Sequence, residues 1–405
     1  MKANWTLTRK SDNVSINQSE NHLFVSMKTD KWAFACLRSD VFDCNENKIY
    51  KFHIDADGGE SDFRLLIQFY KKDCLTDYRE KEWFPEERYG YRLYINNGEE
   101  VCVPEGMECF DIAAAICTDK DAAVSLGDIE FDYVSEYKPK NVCMCAISDD
   151  TIPREAWDSQ MSVTDAYCRK IDEIVEKEHP NVITLTEHFH NMNVRNMSLE
   201  DKFITCDSPI IKMISDKAKQ HGIYICGSFH ILEDGCRYNR ALMFDRNGEI
   251  IAKYDKNHLT IMEYEMGIKP GNDITYVDTD IGRIGFIICW DMYFPEIMRR
   301  YQRKSCDIIL CPTRGDARYQ NNASAFIAAS YVVSSSFGKM NRIYDKNGDV
   351  ISETNTDGYA VATADINNPT WRARLSVGLY YGYSQNVFMN EMRPETYSEL
   401  ADKVR

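Results

Sequence analysis

Apolar positions change rhythm part-way along this chain. Up to about residue 135 they come in short runs that alternate or are rich in β-branched and aromatic residues. Examples are His22-Leu-Phe-Val-Ser-Met, Trp32-Ala-Phe-Ala-Cys-Leu, Tyr50-Lys-Phe-His-Ile and Phe63-Arg-Leu-Leu-Ile-Gln-Phe-Tyr. Turn clusters such as Asp55-Ala-Asp-Gly-Gly and Asn96-Asn-Gly separate them. Period-two patterning punctuated by Gly, Asn and Asp predicts many short strands, hence an all-β sandwich over residues 1–138. Glu136-Tyr-Lys-Pro-Lys-Asn then interrupts the pattern with charge and proline, which marks a domain boundary.

From residue 139 to 405 the pattern is that of alternating strands and helices, an α/β domain. Residues 142–147 read as a strand. Residues 155–177 read as a helix, with Trp157, Met161, Cys168, Ile171, Ile174 and Val175 near helical spacing. A strand over 181–187 ends on the carboxylate of Glu187. Asp207-Ser-Pro209 starts a helix over 210–220, Gly222 ends it, and a strand over 223–226 follows. Two hairpins echo each other around Asn247-Gly248 and Asn347-Gly348, a dipeptide that favours tight turns between strands. Between them, 284–288 reads as a strand buried on both faces. Pro295-Glu296 open a helix through Arg300, 307–312 is a further strand and 322–330 a further helix. The aromatic, irregular stretch 380–405 reads as an arm.

Composition adds limits rather than an activity. The 405 residues are 44% hydrophobic, enough for sizeable cores, and the net charge of −16 argues against nucleic acid or an anionic membrane as partner. There is no apolar run long enough to span a membrane and no secretory pattern at the start. Fifteen cysteines in apolar contexts, without Cys-x2-Cys spacing, read as reduced thiols of a cytoplasmic protein, and no metal or cofactor is expected.

The stretch that carries chemistry is Gly282-Arg-Ile-Gly-Phe-Ile-Ile-Cys289-Trp290-Asp291-Met-Tyr293-Phe-Pro295-Glu296. A thiol where a buried strand turns into a helix start lies near backbone N–H groups able to stabilise a thiolate or an oxyanion. A thiol nucleophile also needs a base and a cationic group. Glu187 and Lys256 stand at other element ends, and His188, His190, His230 and His258 are available as bases, so position along the chain leaves the base open.

Taken together, these stretches resemble the nitrilase, or carbon–nitrogen hydrolase, superfamily. Leu185-Thr186-Glu187 matches its strand ending in Pro-Glu, with Thr in place of Pro. Lys256-Asn-His258-Leu matches its Lys-x-His-Leu, 282–296 its cysteine motif, 307–313 its Asp-Ile-Ile-x-x-Pro-Thr, and Arg393-Pro-Glu-Thr-Tyr397 a C-terminal signature. The resemblance implies a four-layer α-β-β-α sandwich and a Glu187, Lys256, Cys289 catalytic set. It makes Cys289 the nucleophile and Glu187 the base, with a pKa expected to be raised by burial. Lys256 and the Trp290 backbone N–H would hold the oxyanion. A second glutamate is implied between Lys256 and Cys289, for which Glu265 is preferred over Glu263. Tyr293 and His258 become substrate-contacting candidates and Asp291 a scaffold residue.

The implied reaction is hydrolysis of an amide of a small carboxylic acid through a thioester, with release of ammonia or an amine. An N-carbamoyl amine is the alternative substrate, and the partner is a second copy of the chain in a homodimer or higher oligomer. The N-terminal sandwich more loosely resembles jelly-roll domains of the galactose-binding type. Two readings from other classes stand beside this one. Glu187-His188-Phe-His190 could begin a metal-dependent amidohydrolase site, and the sandwich could make the protein a non-catalytic carbohydrate binder.

Overall fold

The computed structural model describes residues 3–19, 22–28, 32–72, 90–316, 318–368 and 393. Two compact units divide at Lys138, the second being Pro139–Asn367. The arm expected over 380–405, and with it nearly all of the 393–397 signature, lies outside the described residues.

The first unit runs β1 Thr6–Lys10, β2 Val14–Gln18, β3 Leu23–Met27, β4 Ala33–Arg38 and β5 Phe42–Asp43. It continues with β6 Lys48–Asp57, β7 Asp62–Tyr70, β8 Gly90–Tyr94, β9 Glu100–Cys102, β10 Cys109–Thr118 and β11 Ala122–Glu136. One sheet has the order β1-β4-β10-β7-β8 and the other β2-β3-β11-β6-β9. Their strands pair antiparallel, as in β10 with β7 and β11 with β6. Alternation explains why they stack: β4 buries Ala33, Ala35 and Leu37 while its intervening residues are part-exposed. These meet Phe52, Phe69, Phe110 and Val25 in one core shared by both sheets, a β-sandwich.

The second unit contains β12 Asn141–Ile147, β13 Val182–Thr184, β14 Tyr224–Glu233, β15 Cys236–Phe244 and β16 Ile250–Asp255. After these come β17 Tyr276–Thr279, β18 Gly282–Phe286, β19 Ile308–Pro312, β20 Tyr331–Ser335, β21 Arg342–Tyr344, β22 Val350–Glu353 and β23 Tyr359–Asp365. They form two six-stranded sheets, β16-β15-β14-β13-β12-β23 and β17-β18-β19-β20-β21-β22. The central strands β12, β13 and β14 are parallel, as are β18, β19 and β20, and each set runs into an antiparallel hairpin. The two sheets pack on each other, and the helices Gln160–Glu178 and Pro209–His221 cover the first. Helices Pro295–Arg303 and Arg318–Ala328 cover the second, giving the four layers α-β-β-α.

Local sequence explains the departures from expectation. The helix expected over 155–177 is two elements, because Ser159 accepts the Ser162 N–H as an N-cap and starts the long helix afresh at Gln160. Trp157 therefore sits in a separate 3-10 turn, Arg154–Asp158, and Met161 is exposed. The helix expected at 322–330 begins earlier, at Arg318, and stops where Ala329 takes φ +51°. Both Asn-Gly turns exist, with positive φ confined to the Gly at +84° and +83°. Asp245 and Asp345 each accept two loop N–H groups at 2.8–2.9 Å, which fixes these as longer, bulged hairpins than a two-residue turn. Gly285 has a packing reason: a Cβ there would lie 2.7 Å from the Tyr301 ring, so only glycine lets the Pro295–Arg303 helix sit this close to β18.

Candidate active site

Four strand ends and one strand interior converge in the second unit. Glu187 lies in the turn after β13, Lys256 directly follows β16, Cys289 comes three residues after β18, Thr313 follows β19, and Asn239 is inside β15. The Lys256 N–H donates to the Asn239 carbonyl at 2.9 Å and the Glu187 N–H reaches the Thr313 carbonyl at 3.5 Å, so the pieces are tied through the backbone.

The side chains form a buried charged cluster. Lys256 Nζ donates to Glu187 Oε1 at 2.9 Å and to Glu263 Oε1 and Oε2 at 3.0 and 2.9 Å. Lys256 is 1% exposed and Glu187 3%. Such a cluster survives burial only when its charges are paired and its remaining lone pairs satisfied. Asn239 supplies much of that, its Nδ2 donating to Glu187 Oε1 and Glu263 Oε1, both at 2.8 Å. Thr260 supplies the rest through its N–H and hydroxyl, at 2.8 and 2.9 Å from Glu263 Oε2.

Of the two glutamates considered, the fold brings Glu263 rather than Glu265 to Lys256. Glu265 is exposed at the end of the short helix Ile261–Glu265, whereas Glu263 is buried against Lys256. The reason is local. Thr260 and Glu263 form a capping box, which turns the Glu263 carboxylate back toward the helix start and so toward Lys256. Thr260-x-x-Glu263 is the sequence signal that identifies it.

Cys289 takes φ +45°, an uncommon region for a residue with a side chain, at the head of the 3-10 turn Cys289–Tyr293. Its thiol lies near enough to the Glu187 carboxylate, the Thr313 side chain and the Arg314 backbone for each to act on its proton affinity. Burial first, then the charge of Glu187, pushes the thiol up to about 12, against the opposing pull of Lys256. Glu187 differs from expectation. Burial acts to raise its pKa, but the Lys256 ammonium and donors from Lys256, Asn239 and Cys289 together hold it below the ordinary carboxylate value. Lys256 is raised, because the negative groups around it outweigh its burial. The resting arrangement is thus a carboxylate bonded to an ammonium, with a neutral thiol beside them.

Asp291 is fully buried and braces the turn. Its Oδ2 accepts the Ile288 N–H at 2.9 Å and the Tyr254 hydroxyl at 2.7 Å; its Oδ1 accepts the His258 N–H at 2.9 Å and faces His258 Nδ1 at 2.9 Å. That joins the Cys289 turn to the Lys256 loop. The His258 ring is also stacked on Phe294, centroids 3.7 Å apart, so Nδ1 and one ring face serve the scaffold. Trp290 and Tyr293 are 39% and 44% exposed with ring centroids 4.5 Å apart. The Trp290 N–H lies in the first turn of its element, where N–H groups lack partners within the turn. Thr186, standing where the superfamily pattern has proline, bonds the Tyr167 hydroxyl at 2.8 Å inside the core.

His188 and His230 stack ring on ring at 4.5 Å, an arrangement that does not aim two nitrogens at one ion. Among the described residues no three His, Cys, Asp or Glu side chains come together as a metal-holding group, and no helix is long and apolar enough to cross a membrane.

Comparison with known proteins agrees with this architecture. The carbon–nitrogen hydrolase family matches residues 171–374, half of the chain, and the chain belongs to that family. It is 31% identical over 169 residues to a deaminated glutathione amidase of Dictyostelium discoideum, covering 36% of this chain and 57% of that protein. It is 27% identical over 233 residues to a citrullinase of Francisella tularensis, covering 49% of this chain and 77% of that one. The chain spans about half the length of the first curated relatives it matches. The crystal structure of an amidase from Nesterenkonia sp. shares the fold at TM-score 0.51 and 16% identity, over 65% of this chain and 97% of that one.

Proposed function

We propose that the protein hydrolyses a non-peptide carbon–nitrogen bond, an amide of a small carboxylic acid, through a thioester on Cys289. The observation that carries this reading is the buried Glu187 carboxylate bonded to the buried Lys256 ammonium, with the Cys289 thiol near enough to both to act on their proton affinities. Glu187 takes the thiol proton as Sγ bonds the amide carbon, and the carbonyl π pair moves onto oxygen. With a thiol near 12 and a carboxylate below its ordinary value, that proton moves in concert with attack rather than before it. Lys256 Nζ and the Trp290 N–H stabilise the oxyanion. The oxyanion re-forms the carbonyl, the C–N bond breaks, and Glu187 returns its proton to the departing nitrogen. Glu187 then accepts a proton from water as the water oxygen attacks the thioester. The S–C bond breaks to release the acid, and the sulfur recovers its proton. Glu263 holds Lys256 in place throughout.

Tyr293, beside Trp290, is the substrate-contacting candidate that exposure favours. The likeness to a citrullinase supports a second substrate class, a carbamoyl compound losing ammonia from a ureide group. Thiols such as Cys145, Cys168, Cys226 and Cys311, free within the second unit, fit action in the cytoplasm. Exposed Ile261, Met262 and Tyr319 on the second unit fit a dimer or larger homo-oligomer. The N-terminal sandwich fits a jelly-roll accessory module.

The test is ammonia release over panels of amides, ureides and nitriles. Cys289→Ala is expected to lower turnover by about 10³-fold or more with an unchanged circular dichroism spectrum. Wild-type turnover by that variant sinks the thiol mechanism, and turnover of nitriles alone sinks the substrate class.

A further inference from the structure

Asn239 is 1% exposed and each of its polar atoms is committed. Its Nδ2 reaches one oxygen of Glu187 and one of Glu263, both at 2.8 Å, so each amide hydrogen serves one carboxylate. Its Oδ1 accepts the Ser228 hydroxyl at 2.7 Å, and the Ser228 oxygen accepts the His188 N–H at 3.1 Å. Donation thus runs one way, from the backbone beside Glu187, through Ser228 and Asn239, to Glu187 itself. A flipped amide would set its carbonyl oxygen against two carboxylate oxygens, so the chain of donors fixes its orientation.

The two carboxylates would repel each other with only one ammonium between them. Asn239 is the uncharged group that faces both. On Glu187 it joins Lys256 at Oε1, so both donors meet the same oxygen and Oε2 takes neither of them. We infer that Asn239 is a positioning residue for Cys289 chemistry: it fixes which oxygen of Glu187 acts as the base and keeps that carboxylate ionised. The inference rests on the Glu187 and Cys289 roles proposed above. Nothing in the composition of β15 announces it beyond a polar residue in a buried stretch, Asn239 being followed by Arg240 and then Ala241 to Phe244.

The experiment uses the intact chain and reads Cys289 directly. Alkylation by iodoacetamide, located by mass spectrometry, is followed as a function of pH in wild type, Glu187→Gln, Asn239→Ala and Ser228→Ala, alongside ammonia release. Losing the amide donor raises the Glu187 pKa. In Asn239→Ala the acid limb of alkylation and of kcat/KM is therefore expected to move to higher pH by about one unit. The kcat should fall about 10–100-fold while KM changes less than about threefold. Ser228→Ala, which leaves Asn239 in place but its carbonyl unheld, is expected to move the limb the same way by less; it carries the test if Asn239→Ala does not fold. Folded variants with the wild-type acid limb overturn the inference, as does a loss of kcat/KM confined to KM. If Glu187→Gln keeps the wild-type profile, the base assignment itself fails and takes the inference with it.

Discussion

Glu187 and His188 are neighbours in the chain, both buried, and burial has opposite consequences for them. Glu187 faces Lys256 and two amide or thiol donors and stays charged. His188 faces away, stacked on His230, which is in turn stacked on Phe203 with centroids 5.0 Å apart. Burial first, and then the nearby Arg314, hold His188 well below the ordinary histidine value. Burial, and then His188 and His190 beside it, hold His230 well below that value too, and burial takes His190 down to about 3. One side of the turn is therefore an ionic cluster and the other a layer of neutral imidazoles among Phe189, Phe203 and Phe229. Desolvation acts on both, and the presence of a counter-charge decides which group remains ionised.

The sharpest way to break this contrast is to delete the counter-charge. Lys256→Met leaves Glu187 and Glu263 buried without their cation, and about 3–5 kcal/mol of stability should be lost. Urea unfolding at pH 7 measures it. A midpoint equal to wild type would mean that the ammonium does not hold the cluster. Adding Glu187→Gln and Glu263→Gln to that variant should recover part of the loss, since no uncompensated charge is then buried.

The histidine side gives a smaller effect that depends on pH. A histidine whose folded pKa is depressed binds a proton in the unfolded chain first, so stability is full above about pH 6.5 and falls as the pH drops toward the folded value. For His190 that window runs from 6.5 down to about 3. Glu187 acts only lower, its contribution being complete above about pH 4.5 and lost beneath it. Between pH 7.5 and 5.5, His190→Phe should therefore lose about 1.4 kcal/mol less stability than wild type. Equal losses in the two proteins would show that His190 is not held neutral.

The smallest expected effect discriminates between two glutamates. Glu265→Ala should leave turnover within about twofold and stability within about 0.5 kcal/mol, as for an ordinary exposed position. Glu263→Ala should lower turnover by about 10–100-fold, by freeing Lys256 from one of its anchors. Ammonia release by the two variants reads this directly, and a reversal of the order would return the second glutamate to position 265.

Much of the framework was legible along the chain. The change from period-two runs to alternating strands and helices falls where the two compact units divide, near Lys138. The buried run before Cys289 and the Pro295-Glu296 start signal located the turn Cys289–Tyr293 between them. Less legible were features that depend on what a side chain meets. Met161 keeps helical spacing yet is exposed, because spacing defines a face without saying how wide the covered stripe is. Glu265 is the glutamate that the resemblance prefers, yet the Thr260 cap turns Glu263 inward.

By itself the sequence determined the local rules: where strands and helices start, and which thiol ends a buried strand. Those depend on residues close in the chain and on backbone geometry. Tertiary structure alone decided the protonation pattern. Glu187, Asn239, Lys256, Glu263 and Cys289 come from separate elements, and a pKa depends on distance through space. Only the folded arrangement shows that burial raises the thiol while one ammonium keeps its neighbouring carboxylate charged.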